Sequence, residues 1–342
     1  MKRILLIKLT SLGDLIHALP ALSDALSAYP DIVFDWMIDE NFQEIATWHP
    51  AVHSVYTTNH RTWRKGLFFP STMRSMARLT QIVRKTEYDL IIDGQGNFKT
   101  ALLSLFTRGP RAGFDRHSVR EWAAHLAYQR HYAASKKGHA IDRLRRLFAS
   151  ALDYPMPLSP PEFQIKREMF LKPNCPLPEE YLVFVHNASW KTKLWPEEHW
   201  IELIKKTVSE GFTVLLPWGN SQEKERAERL AIDPKVQILP KLTLSEMGYV
   251  LERAQACVAT DTGLSHLIAA LNVPSVTLYG STNAGLIGAS GAGQVHLVST
   301  LGCSPCEKKT CRFSSTENPC LKEITPDRVY KELLRQASLR YL

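Results

Sequence analysis

The chain has 342 residues, enough for two domains at roughly 100–200 residues each. Its 44% hydrophobic and 22% charged content is that of a soluble globular protein and excludes a disordered or fibrous class. Lys and Arg number 42 against 34 Asp and Glu, a net charge of +8.

The basic excess is concentrated in the first half. Residues 60–85 hold Arg61, Arg64, Lys65, Arg74, Arg78, Arg84 and Lys85 with no acid between them. Residues 108–146 add Arg108, Arg111, Arg116, Arg120, Arg130, Lys136, Lys137, Arg143, Arg145 and Arg146. A surface of this kind suits an anionic partner: a membrane, a phosphorylated or carboxylated substrate, or nucleic acid. The first apolar run, Ile4–Ile7, stops at Lys8, whereas a signal peptide needs roughly 7–15 apolar residues and a membrane-spanning helix about 20. The expectation is a cytoplasmic protein free to touch a membrane surface.

In chain order, Ile4–Ile7 reads as a strand, Lys8–Gly13 as a loop, and Leu15, Ile16, Leu19, Leu22 and Leu26 as one face of a helix. Ile32–Ile38 and Val52–Tyr56 read as strands, 72–86 as a helix, Tyr88–Ile92 as a buried strand and Thr100–Thr107 as a helix start. A second series runs Tyr181–His186, Phe212–Leu216, Val236–Leu239, Ala256–Ala259 and Ser275–Tyr279 as strands. Pro196–Glu210, Ser221–Leu230, Ser245–Ala254 and His266–Ala270 are the helices between them. Strands alternating with helices predict α/β domains built on parallel sheets. The Pro-rich stretch 155–178 predicts the linker. The expected layout is one Rossmann-like domain over 1–160, a second over 161–325, and a terminal helix over 326–342 able to pack back on the first domain. Ligands of open α/β sheets bind beyond the carboxyl ends of the strands, so the two domains are expected to face a central cleft lined by those loops.

Asp261-Thr262-Gly263-Leu264-Ser265-His266 follows a strand and opens a helix. Free N–H groups and the helix dipole there suit a phosphate, and Gly263 permits close approach; simple N-capping by Asp261 or Thr262 is the alternative. His186-Asn187-Ala188-Ser189 also follows a strand, and Lys191 and Lys193 follow in its loop, placed to neutralise a diphosphate or merely to be solvated. No GxxxxGK[ST] and no GxGxxG in strand–turn–helix order occurs, which argues against a P-loop kinase and a nicotinamide oxidoreductase. No recognisable nucleic-acid motif accompanies the charge. In the first loop, Asp14 of Thr10-Ser11-Leu12-Gly13-Asp14 is either a helix cap or a general base. Cys303, Cys306, Cys311 and Cys320 form CxxC-x4-C-x8-C, open to a zinc knuckle, a disulfide or free thiols. Cys175 and Cys257 stand apart. No HExxH or carboxylate–His cluster indicates a catalytic metal, and no cofactor is expected.

Taken together, ILLIKLTSLGDLIHALP at Ile4–Pro20 resembles the opening of the ADP-heptose:lipopolysaccharide heptosyltransferases. FDWMIDE at Phe34–Glu40, RTWRK at Arg61–Lys65, DLIIDGQGNFKTALL at Asp89–Leu103, KLWPEEHW at Lys193–Trp200, LPWGN at Leu216–Asn220 and VATDTGLSHLIAAL at Val258–Leu271 agree in order. The resemblance implies the GT-B fold. It implies an inverting glycosyltransferase that moves heptose from ADP-heptose to Kdo of a Kdo-lipid A acceptor, peripheral on the cytoplasmic face of the inner membrane. FDWMIDE and the Trp48-His49 and Arg120-Glu121 neighbourhoods are similar to the heptosyltransferase I branch, which adds the first heptose. The four-cysteine segment is more similar to the branch adding the second. A non-catalytic lipid A-binding protein is the alternative of another class.

By the same resemblance Asp14 is the base and Lys193 meets the departing diphosphate. Ser189, Thr262, Gly263 and Leu264 hold phosphate, and Asp261 and His266 lie near the heptose and diphosphate. Glu223 binds the ribose. Ser11, Arg61, Arg64, Lys65 and Arg120 hold the acidic acceptor. Ala188 departs from the family's hydroxyl residue at its position.

Overall fold

A computed structural model describes residues 2–59, 69–314 and 318–338. The chain divides into two compact units, Met1–Lys166 and Arg167–Leu342, with the division inside the Pro-rich stretch.

The first unit is a six-stranded parallel sheet: β1 (Arg3–Ile7), β2 (Val33–Asp39), β3 (Val52–Thr58), β4 (Leu90–Asp93), β5 (Arg111–Phe114) and β6 (Arg130–Tyr132). Its order is β3-β2-β1-β4-β5-β6, the Rossmann order, with the direction of winding reversing between β1 and β4. Ile4 to Ile7 are wholly buried because both faces carry helices. On one side lie α1 (Leu12–Ile16), α2 (Leu19–Ala28), α3 (Gln43–Thr47) and, after the last strand, α6 (Ala140–Leu152). On the other lie α4 (Pro70–Val83), α5 (Phe98–Leu105) and a 3-10 segment, Trp122–Ala127.

The single helix expected from Leu15 to Leu26 is two. Pro20 has no N–H to donate, which suits it to the first turn of a new helix, so α2 starts at Leu19. Beyond β4 the sheet continues through β5 and β6, and α6 follows, none of them among the expected elements. The strands are three and four residues long, and β5 contains Gly113. A Cβ at Gly113 would come within 2.4 Å of the Tyr128 ring, so glycine there reports a tertiary contact that leaves no periodic signal. α6 buries Ile141, Leu144, Leu147 and Phe148. It also buries Arg145, which donates to both oxygens of Asp24, at 2.6 and 3.1 Å. Arg145 is therefore not part of the basic surface. Removing one partner of such a pair typically costs about 3–5 kcal/mol.

The second unit repeats the plan. Strands β7 (Leu182–Val185), β8 (Val214–Leu216), β9 (Val236–Ile238), β10 (Ala256–Thr260), β11 (Ser275–Tyr279) and β12 (Gln294–Val298) stand in the order β12-β11-β10-β7-β8-β9. Counted from β7 this is the same Rossmann order, with its reversal between β7 and β10. Helices α7 (Glu197–Ser209), α8 (Ser221–Leu230), α9 (Leu244–Arg253), α10 (Gly263–Ala270), α11 (Ala284–Ile287) and α12 (Pro319–Lys322) follow their strands. In the core, Trp195 and Trp200 meet edge to face at 5.0 Å, and Trp195 Nε1 donates to the Ile324 carbonyl.

The terminal helix, α13 (Pro326–Ser338), packs on the second unit. Its Val329, Leu333 and Ala337 join the cluster around Trp195, Val258 and Val276. An amphipathic stripe shows that a helix needs an apolar partner; it does not show which one.

Candidate active site

In each unit the strand order places two loops on either side of the reversal, where the crevice of a Rossmann sheet opens. In the first unit these are 8–14 after β1 and 94–97 after β4. In the second they are 186–193 after β7 and 261–263 after β10.

Asp14 sits inside α1, not at its cap. Ser11 is the N-cap, and Asp14 stands three positions on, where Oδ2 accepts from the Ser11 N–H and from Ser11 Oγ, both at 3.0 Å. The carboxylate closes a capping box with one oxygen, because a Ser N-cap with an acceptor three residues later satisfies the exposed N–H groups of the first turn. Ser11 is exposed and Asp14 half-buried.

The loop is held from across the reversal. Gln95 Oε1 accepts from the N–H groups of Leu9, at 2.7 Å, and Thr10, at 3.2 Å. Gln95 is itself anchored. Its N–H and that of Gly96 donate to Asp93 Oδ1, and Tyr128 OH donates to Asp93 Oδ2 at 2.6 Å. Burial pushes the Asp93 carboxyl up, against these bonds, which pull it down.

The same loop begins with Lys8, 5% exposed, with Nζ donating to the Gly94 carbonyl at 3.0 Å. Burial pushes the Lys8 ammonium down in pKa. The negative charges of Asp14 and Asp93 oppose this, and Arg120 and Arg143 add to it. Asp14 and Arg120 are thus gathered with Lys8 at one end of the sheet, and Arg120 is exposed there. The sequence reading singled out neither Lys8 nor Gln95. A lysine at the end of a buried strand was the available signal for the first, and the second has none without β4 beside β1. Arg61, Arg64 and Lys65 lie outside the described residues.

In the second unit Asp261 is the hub. It is 3% exposed at the end of β10. Oδ2 accepts from Lys193 Nζ at 2.7 Å and from Thr282 Oγ1 at 2.6 Å, and Oδ1 lies 3.8 Å from His266 Nε2. Lys193, 14% exposed at its side chain, also stands over the Trp190 ring, with Lys309 on that ring as well. Thr262 is the N-cap of α10, and Ser265 Oγ donates back to the Thr262 carbonyl at 2.6 Å. Gly263 and Leu264 stand in the first turn, where N–H groups have no intrahelical acceptor. Lys193, Asp261, Thr262, Gly263, Leu264 and His266 therefore come together. They form a dipole end with an ammonium beside it, suited to a diphosphate.

The other second-unit residues stand at neighbouring strand ends. Ser189 is exposed on the loop after Asn187, whose carbonyl accepts from Thr260 Oγ1. Glu223 is one strand over, after β8, its Oε2 accepting from the Gly219 N–H at 2.8 Å. Burial, with the Arg226 charge adding to it, pulls His186 down to about 3.

Thr282, and Glu307 beside the cysteine segment, are additions from the structure. The Glu307 N–H donates to the Ser281 carbonyl, and Glu307 Oε1 accepts from the Asn283 N–H. The segment from Cys303 to Glu307 thus braces the loop carrying Thr282. All six cysteines are free thiols, and burial pushes Cys320 up to about 11. Among the described residues no three His, Cys, Asp or Glu side chains are grouped to hold a metal ion.

Two Rossmann-order units in one chain, with polar groups at each reversal and no glycine fingerprint, define an α/β protein of the GT-B class. Residues 76–316 match the profile of glycosyltransferase family 9 (heptosyltransferase). Lipopolysaccharide heptosyltransferase 1 of Pseudomonas aeruginosa is 45% identical, over 97% of this chain and 97% of its own. The solved E. coli heptosyltransferase WaaC with ADP superposes with a TM-score of 0.86 at 37% identity, over 98% of this chain and 99% of that one. WaaC with ADP-2-deoxy-2-fluoro heptose gives 0.84 at 36% identity, over 97% and 99%. This chain belongs to glycosyltransferase family 9, the heptosyltransferases.

Proposed function

We propose that the enzyme transfers heptose from ADP-heptose to a Kdo hydroxyl of Kdo-lipid A, with inversion, at the cytoplasmic face of the inner membrane. The observation that carries the reading is the Lys193–Asp261 pair at the start of α10, with an ammonium 2.7 Å from a buried carboxylate. Negative charge builds on a diphosphate as it leaves, and donors fixed in advance stabilise that charge without reorganising. Lys193 and the first N–H groups of α10 are such donors. Asp261 and Thr282 hold Lys193 in place, and His266 lies against the same carboxylate. Ser189 supplies a further hydroxyl to the phosphates, and Glu223 accepts from the ribose hydroxyls.

On the acceptor side Asp14 removes the proton. One oxygen is occupied by Ser11, which fixes the carboxylate's direction, and the other takes the proton as the acceptor oxygen attacks the anomeric carbon. Ser11, Arg61, Arg64, Lys65 and Arg120 hold the acidic sugars and phosphates of the acceptor. Among the described residues no helix is long and apolar enough to cross a membrane. A peripheral attachment serves an enzyme whose acceptor is a lipid.

The test is ADP release from ADP-heptose with two acceptors, Kdo-lipid A and heptosylated Kdo-lipid A. Turnover with the first alone is expected. Turnover with the second alone would make the enzyme the one that adds the second heptose. Acceptor binding without any ADP release would leave a lipid A-binding protein and no transferase.

A further inference from the structure

The sheet face of the first unit that carries α4, α5 and the 3-10 segment is apolar on its outside. Along α5, Phe98, Leu102, Leu105 and the following Phe106 are exposed, from 41% to 57%. Thr100, Ala101 and Ser104 are turned inward and buried. A surface helix normally does the reverse. The adjoining 3-10 segment continues the stripe with Trp122, 66% exposed, and Leu126, 68% exposed. Six large apolar side chains exposed on two adjoining segments mark an interaction surface rather than scattered surface apolarity. Under it, between α4 and α5, lies a cavity of about 360 Å³ lined by Met37, Met76, Leu79, Val83, Leu103 and Phe106. Exposed cations stand around the patch: Arg74 and Arg78 on α4, Lys99 on α5, and Arg120 before the 3-10 segment. Exposed Glu121 is the acid at the patch, its Oε2 accepting from the Phe98 N–H at 2.8 Å, while residues 60–85 contribute none, so cations outnumber it four to one.

We propose that this face is the membrane-docking surface of the enzyme and that its partner is an anionic phospholipid bilayer. Apolar side chains ringed by cations bind such a bilayer by two additive terms, burial at the headgroup–acyl boundary and attraction to the negative surface. Tryptophan belongs at that boundary. Arg120 and Phe98 lie at the strand ends where Ser11 and Asp14 stand, so docking would present that edge to a lipid-anchored acceptor. The inference extends the membrane-surface reading above, but acceptor-free vesicles test it separately.

Full-length protein is floated with vesicles of phosphatidylcholine alone or of equimolar phosphatidylcholine and phosphatidylglycerol. Flotation with the second is expected, weakened by salt. Trp122→Ser with Leu126→Ser changes two exposed side chains and should lower the partition coefficient about tenfold or more. Lys99→Glu with Arg78→Glu should lower it comparably and remove most of the salt dependence. Activity of both variants on a water-soluble Kdo acceptor should match wild type. Absent flotation, or flotation unchanged in both variants, overturns the proposal. So does a Trp122/Leu126 variant that loses only self-association on a sizing column, since the face would then be a protein interface. Flotation without transfer would instead overturn the transferase reading and leave docking standing.

Discussion

Replacement of Asp14 by Asn separates its two possible tasks. Asp14 Oδ2 takes two hydrogen bonds from Ser11, each 3.0 Å. Asn retains a carbonyl oxygen in that place and loses only the charge. Hydrogen bonds to charged groups contribute about 1.5–3 kcal/mol against about 1 for neutral pairs. Because both bonds are exposed, the low end of that difference applies, a loss of about 1 kcal/mol for the pair and a shift in Tm of roughly 2–4 °C for a domain of this size. Asp14→Ala removes the acceptor altogether and should cost up to about 2 kcal/mol, the scale of a lost cap. An amide cannot take a proton at neutral pH, so as a base Asn should be as deficient as Ala. Loss of a general base lowers turnover by roughly 100-fold or more, about 2.7 kcal/mol on the barrier. Steady-state ADP release at saturating acceptor, with thermal unfolding of the same preparations, gives both quantities. The two variants should share the kinetic defect and differ in Tm, with the donor KM little changed. Near-normal turnover in Asp14→Asn, with the rate falling in step with Tm across the pair, would make Asp14 the capping-box partner of Ser11 and nothing more.

Lys193→Ala should lower kcat by about 100-fold, the usual scale for losing one fixed donor to a developing anion, and leave the acceptor KM unchanged. Should Lys193 serve only to neutralise Asp261, the double variant with Asp261→Asn would recover turnover, and a change confined to acceptor KM would equally misplace it. Acid should destabilise the fold through His49 and His186, each held at about 3 by burial against an ordinary 6.5. Between those values the unfolded chain binds more protons than the folded one. The stabilisation is therefore complete above about pH 6.5 and falls as pH drops toward 3, by about 1.4 kcal/mol per unit per histidine. His49 Nδ1 accepts from the Ala51 N–H at 3.1 Å, a bond the protonated ring cannot keep. His49→Gln should roughly halve the histidine part of the slope seen by urea denaturation between pH 7 and 5. An unchanged slope would refute it.

Two Rossmann-like units were legible in the residues themselves. Fully buried parallel strands are near-continuous apolar runs, and Ile4–Ile7, Leu182–Val185 and Ala256–Thr260 carry that signal without help from their neighbours. The candidate loops were legible for the same reason, since a polar loop leaving such a strand lies at the sheet's carboxyl edge. Asp14, Lys193 and the turn from Asp261 to Ser265 are candidates on this ground and on the resemblance. Tertiary structure decided what local pattern does not encode. It made β5 and β6 strands by pairing and by the fit of Gly113 under Tyr128. It assigned the terminal helix to the second unit, whose core its apolar stripe completes. It took Arg145 from the surface to Asp24. It brought Gln95 against the Leu9 and Thr10 N–H groups, Lys8 onto the Gly94 carbonyl and Thr282 onto Asp261, pairs far apart in the chain. Apolar periodicity is a property of a few consecutive residues and survives in one dimension. A hydrogen bond across a strand reversal depends on which strands become neighbours, and the completed sheet sets that.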